Sequence, residues 1–435
     1  MKKFFTTIKH IFAIEELRNR ILATLGFILI FRLGSYVVLP GLDPEKLGDV
    51  SGMLGMLDLF LGGAFSRASI FALGIMPYIS ASIVLQLLTV AVPYFQKMQK
   101  EGESGRKKIG QITRVLTIAI TLAQGSAYLA TTIPAEAIMI NPFVFKISAI
   151  IILTAGTIFC MWLGEKMTDK GIGNGISMLI MIGIIARLPT ELWIEATGKG
   201  MSGALLFIIE IMALFFVVMS VVMLTQATRR VPVQYAKQVV GGKVYGGQRQ
   251  YIPLKVNAAG VMPIIFAQSL MFLPAMFSGM FADSNVAAYI GTNFSNPNSW
   301  QYNLTFGIMI VLFTFFYTAI TVNPNQMADD MKRNGGFVPG IKPGAQTSEF
   351  LDNIISKITL PGSLFLGLVA VLPAFAVLAG VGQGFSQFFG GTSLIIMVGV
   401  ILDTLQQIES YLLMRHYEGM MKSGKVKGRS QNAVA

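Results

Sequence analysis

Side chains that commonly carry out chemistry are scarce in this chain. The sequence has two histidines and one cysteine, and the histidines, His10 and His416, lie near opposite ends. A zinc site or a histidine-based catalytic triad needs several such groups close together. Cys160 has no second cysteine to pair with, and its apolar surroundings are typical of a small buried residue. We therefore predict no catalytic residues and no metal site.

Two glycine-bearing segments are candidates for contacting phosphate groups. The basic segment GESGRKK at 102–108 lacks the spacing and the Lys-Ser/Thr ending of a P-loop. The segment GIGNGIS at 171–177 has three glycines, but nothing strand-like precedes it, and a dinucleotide site needs a βαβ unit. We therefore predict no bound cofactor, so the energy for any transport must come from outside the chain.

Charged residues inside the apolar runs are few and scattered. They are Arg32, Arg67, Lys146, Glu210 and Asp403. Most of them can lie near the end of a membrane span, and none forms a carboxylate pair at catalytic spacing. An ion-coupled transporter usually places ionisable groups at mid-membrane, so their near absence counts against that class. A path lined by branched aliphatic side chains suits a cargo of variable sequence, because fixed charges would bind some cargo too tightly. A narrow apolar constriction also excludes water.

The composition is that of a polytopic helical membrane protein. Of the 435 residues, 53% are hydrophobic and 13% are charged, whereas a soluble domain has about 25% charged residues. Many uncharged runs reach about 18 residues or more, the length that crosses a bilayer. Loops rich in Lys and Arg alternate with loops poor in them. This alternation places both termini in the cytoplasm and accounts for the net charge of +12 without nucleic acid.

We predict an all-α fold of ten membrane spans, arranged as two halves of five. Repeats with an odd number of spans lie inverted in the membrane, with a pseudo-two-fold axis and a path between them. The second half contains two basic cytoplasmic loops, 226–255 and 323–357. The predicted segments are an amphipathic surface segment at 1–20, the first half at 21–190, an external hinge loop at 191–201, the second half at 202–412 and a cytoplasmic tail at 413–435.

The stretch at 59–88 is the part around which we expect the fold to be organised. Gly62 and Gly63 end a short apolar segment, Arg67 follows, and then comes an uncharged run that contains Pro77. Paired glycines weaken a helix and a proline bends it. A span interrupted in this way needs protein or water beside its backbone. The sequence therefore predicts a broken helix next to a path, and an ordinary packing kink is the alternative.

Eight motifs carry a resemblance that covers essentially the whole chain and keeps the order of the motifs. They are FSRASIFALGIMPYISASI at 65–83, EGESGRKKI at 101–109, MWLGE at 161–165, GIGNGIS at 171–177, PLKVN at 253–257, FYTA at 316–319, GFVPGIKPG at 336–344 and GGTSL at 390–394. On these motifs the chain resembles the SecY family, the channel subunit of the bacterial general secretion translocon. The resemblance implies a SecY-like fold and a channel that passes unfolded secretory proteins across the cytoplasmic membrane and releases membrane proteins sideways.

The resemblance also implies roles for individual residues. The segment 53–66 matches a plug that closes the resting channel from outside, with Met53, Leu57, Phe60, Gly62, Gly63 and Phe65. A pore ring would consist of Ile75, Ile79, Ile180, Ile184, Ile265 and Ile396. Spans two and seven match the lateral gate, whose seam would contain Ser80, Gln86 and Leu273.

The basic loops match surfaces that dock the ribosome or the SecA ATPase. The docking residues would be Arg229, Arg230, Lys237, Lys243, Arg249 and Lys342. Lys342 stands where the family usually has arginine, and lysine lacks the planar fork of donors. The resemblance further implies SecE and SecG as partner subunits, signal sequences and nascent polypeptides as ligands, membrane lipid at the gate, and no specific DNA.

Two other functions fit the same sequence. A secondary transporter with inverted five-helix repeats is the main alternative, and it would need a coupling-ion site. An assembly scaffold for a membrane complex is another. For single residues the ordinary interpretation is also strong, because an isoleucine in a span more often faces lipid or the core, and basic loops can simply report topology.

Overall fold

The computed structural model describes residues 12, 14–48, 52–200, 203–235, 238–240, 243–245, 249–280, 293–294 and 296–422. Helices dominate these residues, as the composition predicts. Labelled in chain order, they are α1 Glu15–Gly34, α2 Gly52–Phe60, α3 Met76–Ala91, α4 Pro93–Lys100, α5 Glu103–Thr132, α6 Pro142–Lys170, α7 Gly175–Lys199, α8 Ala204–Gln226, α9 Met262–Met280, α10 Trp300–Thr321, α11 Pro324–Arg333, α12 Ala345–Leu378, α13 Gln383–Ser386 and α14 Gly391–Lys422.

Length and hydropathy identify the membrane-crossing helices. Within the described residues, seven helical segments are long and apolar enough to span: α5, α6, α7, α8, α10 with α11, α12 and the first part of α14. Helices α3 and α4 meet the same criteria as a pair bent by 98°. The 20-residue α1 and the apolar Met262–Met271 part of α9 complete a count that agrees with the ten predicted spans. The chain is a multi-pass membrane protein.

The interruption predicted in the second span is present, but its cause differs in part. Helix α2 ends at Phe60, a run of turns follows, and α3 begins only at Met76. The expectation that Pro77 bends a helix is wrong. Pro77 lies in the first turn of α3, where its missing N–H costs no helical hydrogen bond.

The described chain forms two compact units. The first contains Met1–Arg187 and Val400–Ala435, and the second contains Leu188–Gly399. The division after Arg187 lies close to the boundary predicted at 190. The predicted second half extends to residue 412, whereas the second unit ends at Gly399. Helix α14 therefore begins in the second unit and continues into the first.

The segment predicted as an external loop at 191–201 is helical as far as Lys199. Helix α7 continues through Pro189, which the sequence suggested as the end of a span. Lys199 then forms ion pairs with Glu195 and with Glu210 of α8, and Glu195 accepts a hydrogen bond from the Gly382 N–H at 3.1 Å. These contacts fix the end of α7 within the second unit.

The two basic loops of the second unit fold together instead of extending as separate loops. The strands are β1 Thr228–Tyr235, β2 Gln238–Val240, β3 Lys243–Tyr245, β4 Arg249–Lys255 and β5 Gly336–Phe337. Strand β1 pairs antiparallel with β4 and β5, and these three strands form the small sheet. Strands β2 and β3 pair with each other. Val231, Val233 and Leu254 pack with Met331 of α11 and Leu351 of α12 in one buried cluster. This buried apolar cluster stabilises the strands that carry the basic residues.

The uncharged run at 358–402 divides as predicted. Helix α12 ends at Leu378, the short α13 follows, and α14 begins at Gly391. Gly380 and Gly391 have φ values of +93° and +64°, a conformation that glycine adopts without strain.

Candidate functional site

Helix α2 is followed by a turn that needs glycine. Gly62 and Gly63 have φ values of +62° and +86°, in the left-handed region. The Gly63 N–H donates to the Asp58 carbonyl oxygen at 2.9 Å and closes the end of the helix. The plug residues predicted here, Leu57, Phe60, Gly62, Gly63 and Phe65, are all buried. Met53 belongs to α2, but its side chain lies outside the described part of the structure.

Asp58 is the buried charge of this segment, with a residue exposure of only 3%. One carboxylate oxygen accepts a hydrogen bond from the Ser66 N–H at 2.9 Å, within the turn that follows α2. The other forms an ion pair with the Arg187 guanidinium of α7. Arg187 also donates to the Ser66 hydroxyl at 3.4 Å. Asp58 therefore stabilises the turn internally and also attaches it to a neighbouring helix.

Two further arginines hold the carbonyl groups of the glycine turn. Arg67 donates to the Gly63 oxygen at 2.8 Å and to the Gly62 oxygen at 2.9 Å. Arg32 of α1 donates to the Gly62 oxygen at 3.3 Å. The Arg67 guanidinium also lies over the ring of Tyr36, 4.2 Å from its centroid. These carbonyls have no helical partner, so charged donors replace the missing hydrogen bonds.

Glycine at position 183 allows α2 to approach α7 closely. A β-carbon added to Gly183 would collide with the carbonyl oxygen of Phe60, the last residue of α2. Gly183 and Arg187 are four residues apart in one helix and so lie on the same face. The same face of α7 therefore contacts the α2 backbone at Gly183 and forms the ion pair through Arg187.

Phe65 and Tyr128 attach the same turn to α5. The Tyr128 hydroxyl donates to the Phe65 carbonyl oxygen at 2.8 Å, and the two rings meet edge to face with centroids 4.6 Å apart. Both residues belong to a buried cluster of the first unit that also contains Ala64, Ala68 and Leu73. The turn is thus packed as a core element and does not extend as a surface loop.

We predict that Tyr128→Phe lowers the free energy of unfolding by about 0.5–1.5 kcal/mol, because the buried Phe65 carbonyl loses its Tyr128 donor and keeps only the Ala68 N–H at 3.2 Å. Equilibrium unfolding in detergent measures the change. Tyr94→Phe is the control, since Tyr94 of α4 is 65% exposed and the loss of its hydroxyl should change stability by less than about 0.5 kcal/mol. An unchanged Tyr128→Phe variant would mean that the hydroxyl contributes nothing to the turn.

The six isoleucines assigned to the pore ring are buried, with exposures between 0% and 7%. Ile75 precedes α3 and accepts the Ile79 N–H at 3.1 Å, so these two are one helical turn apart. Ile180 and Ile184 are likewise one turn apart on α7. Ile265 lies on α9 and Ile396 on α14. Burial contradicts a lipid-facing position for each of them, and their assembly into one ring stays a prediction.

The gate residues are only partly described. The Ser80 hydroxyl donates to the Met76 carbonyl oxygen of its own helix at 3.2 Å. Gln86, six residues further along α3, is half-buried. Leu273 belongs to α9, but its side chain lies outside the described part of the structure. The gate between α3 and α9 remains a prediction.

Five of the six residues predicted to dock partners lie on strands β1, β3 and β4 and on the loop before α12. Arg229 and Arg230 of β1 are exposed, and so is Lys342, whose carbonyl accepts the Thr347 hydroxyl at 2.9 Å. Lys243 and Arg249 belong to β3 and β4, with side chains outside the described set, and Lys237 lies outside the described residues altogether. At least two cations are therefore held on a rigid strand.

The GIGNGIS segment forms the turn between α6 and α7, and its backbone N–H groups already have acceptors. The Ile172 N–H donates to Thr24 at 3.1 Å, the Gly173 N–H to Gln407 at 2.8 Å, and the Gly175 N–H to Thr168 at 2.9 Å. A phosphate-binding loop needs such donors free to face the ligand. Among the described residues there is also no group of three or more His, Cys, Asp or Glu side chains that could hold a metal.

Sequence reasoning missed the ion pair between Asp58 and Arg187. The sequence shows each residue as a single charge at the edge of an apolar run, and 129 positions separate them. A charge in such a run needs a partner when it is buried. The two isolated charges therefore indicate that each has a partner somewhere in the fold. The partner itself depends on the tertiary fold.

Comparison with known proteins adds independent findings. The family model described as SecY matches residues 69–405. The protein translocase subunit SecY of Streptomyces griseus is 45% identical over 438 residues, covering 96% of this chain and 100% of that protein. A solved SecY structure superposes with a TM-score of 0.63 at 17% identity, covering 90% of this chain and 92% of the other. Its description says that the plug domain stabilises the closed state of the translocation channel and maintains a membrane seal. Sec61 in a canine ribosome-channel complex from the endoplasmic reticulum gives a TM-score of 0.61 at 16% identity, with the same coverage.

Proposed function

The chain belongs to the SecY family, and we propose that it is the protein-conducting subunit of a membrane translocase. The observation that carries the proposal is α2 with its glycine turn, which is buried in the first unit without continuing into a membrane span. Non-helical backbone at membrane depth is tolerated only where it is buried in protein or lines a water-filled path. A short helix followed by such a turn suits a movable stopper better than a structural span.

In the resting channel, we propose, α2 and the turn after it form the plug. The six buried isoleucines form the ring that closes the narrowest part of the path. Branched aliphatic side chains exclude water at a narrow constriction, so ions do not pass. They also deform around a passing chain without leaving polar groups unpaired.

Opening begins in this proposal when a signal sequence binds at the gate between α3 and α9. Binding favours the open state only by the difference in affinity between the two states. The plug then leaves, the polypeptide enters, and apolar segments of the cargo pass sideways into lipid. Ser80, Gln86 and Leu273 are the residues that we assign to this seam.

Energy for transport comes from partners in this proposal. The SecA ATPase or a translating ribosome would dock on the basic surface around β1, and the proton-motive force would assist. SecE and SecG would complete the complex. The relative from Streptomyces griseus is named a translocase subunit, and the solved Sec61 is in a ribosome-channel complex; these names support partners of this kind.

The location follows from the distribution of charge. Loops rich in Lys and Arg alternate with loops poor in them, so we assign both termini and the small sheet to the cytoplasmic side of a bacterial inner membrane. A secondary transporter with inverted repeats remains the alternative, but membership of the SecY family disfavours it.

Site-specific crosslinking tests the proposed function. We expect a photoreactive residue at Ile79 or at Leu273 to crosslink to a stalled secretory chain, because both positions should face its path. Ile151 of α6 is the control, since its side chain is 62% exposed on the apolar surface and should meet lipid.

The outcomes separate the three candidate functions. Crosslinks from Ile79 and Leu273 that reach only resident subunits would favour a scaffold. Saturable uptake of a small solute by vesicles that contain the chain, without crosslinks to the secretory chain, would favour a transporter.

A further inference from the structure

The attachment of α2 to its surroundings consists of two kinds of contact. Contacts within the segment hold its own shape: Ser66 N–H to Asp58, Gly63 N–H to the Asp58 carbonyl, and Arg67 to the glycine carbonyls. Contacts to other helices hold its position: Arg187 of α7 on Asp58, and Arg32 of α1 on Gly62. Asp58 takes part in both kinds, through different oxygen atoms, and its negative charge meets an arginine of another helix.

We propose that the ion pair between Asp58 and Arg187 is an electrostatic latch that holds α2 closed against α7. This inference rests on the proposed function, because it identifies α2 as the moving plug. The pair joins the end of the short helix to the helix that carries Ile180 and Ile184, two of the proposed ring residues. Release of the latch therefore frees the plug next to the constriction that the cargo must open.

The strength of the latch depends on water. Asp58 is almost fully buried and the Arg187 side chain is 28% exposed, so the pair lies in a poorly solvated place. The attraction between two charges falls about fourfold when the effective dielectric constant rises from about 20 to the value of about 80 in water. A polypeptide that brings water beside α2 weakens the latch, and a weaker latch admits more water. The pair thus favours two states, a dry closed one and a hydrated open one.

Close packing makes the latch specific to the closed position. Gly183 lies one turn before Arg187, and the carbonyl of Phe60 packs where a side chain on Gly183 would be. Arg187 reaches Asp58 only while the end of α2 packs against α7 at Gly183. A small movement of α2 away from α7 therefore separates the charges as well as the backbones.

A reporter cysteine measures the position of α2 in membranes that contain the whole complex. Leu57 is 3% exposed, so a maleimide should label Leu57→Cys slowly while the latch is closed. The native Cys160 is buried with no exposed area and should not react. We expect Asp58→Asn to raise the labelling rate about tenfold, equivalent to about 1.4 kcal/mol. The asparagine oxygen still accepts from Ser66, so the turn keeps its shape.

Two further variants make the test decisive. Arg187→Gln removes the other charge of the pair, leaves the Ser66 N–H bonded to Asp58, and should raise the labelling rate about as much as Asp58→Asn does. Glu165→Gln removes the ion pair with Arg114 between α5 and α6, which is 2.7 Å long, without touching α2, and should leave labelling unchanged.

The latch is overturned if either Asp58→Asn or Arg187→Gln labels at the parental rate. Transport of a secretory protein is measured in the same membranes. Normal transport with parental labelling in Asp58→Asn rejects the latch and leaves the proposed function standing. Absence of transport by the parental chain in the complete complex rejects the proposed function itself.

Discussion

Replacing Ile79 and Ile265 together with serine is expected to make the resting channel leak ions. If the two side chains belong to the ring, the exchange removes branched apolar groups and adds hydroxyl groups that water can solvate. A hydrophobic constriction closes by excluding water, and polar groups inside it favour wetting. We expect the resting conductance of reconstituted vesicles to rise by about tenfold or more, since about 1.4 kcal/mol removed from a barrier changes a rate tenfold.

The neighbouring isoleucines provide a matched control for this experiment. Ile83 lies one turn after Ile79 on α3 and is 3% exposed, and Ile264 precedes Ile265 on α9 and is fully buried. Serine at Ile83 and Ile264 removes the same groups from equally buried positions. Those changes should lower stability by a comparable amount and leave the conductance at background. Equal leaks from the two double variants would show that loosened packing, and not a ring, causes the leak.

The sequence predicted features that depend on local composition. The uncharged run at 358–402 is too long for one helix, and glycine clusters mark the place where α12 and α14 separate. Gly62 and Gly63 likewise predicted the end of α2, because only glycine adopts positive φ values without strain. Such signals are contained in a few neighbouring residues, so no tertiary information is needed to interpret them.

Proline was a less reliable guide than glycine. Pro77 was expected to bend a helix but begins one, while Pro189 was expected near the end of a span and lies inside α7. A proline at the first turn loses no hydrogen bond, and one inside a long helix loses a single bond that neighbouring helices can offset. Which case applies depends on packing around the proline, and the sequence does not show that packing.

The small sheet was predictable in part. The buried Val231 and Val233 alternate with the exposed Arg230 and Pro232 along β1, the period of two that is typical of a half-buried strand. The many Lys and Arg residues of segment 226–255 predict a basic cytoplasmic loop, and that signal is stronger than the strand pattern. The ion pair of Asp58 with Arg187 was less accessible, since the two charges belong to separate helices and only the fold brings them together.

Reversing the charge of Arg229 and Arg230 to glutamate is expected to reduce partner-driven translocation about tenfold, a change equivalent to about 1.4 kcal/mol in the affinity of the partner. Both side chains are exposed on β1, which is held by β4 and by a buried cluster of valine, leucine and methionine. A rigid cationic strand complements an acidic protein surface or the phosphates of ribosomal RNA. Like charges in the variant would repel either partner.

The control reverses two adjacent cations elsewhere, Lys107 and Lys108 of α5, which are both exposed. We expect this pair to change translocation much less, because it lies outside the small sheet. Rates measured with SecA, with ribosomes and at rising salt identify the partner, since attraction between exposed charges weakens as the Debye length falls from about 10 Å at 0.1 M to about 3 Å at 1 M. Equal losses in both variants would mean that overall charge, and not this strand, brings the partner to the membrane. Parental rates in the β1 variant would place the docking surface elsewhere on the chain.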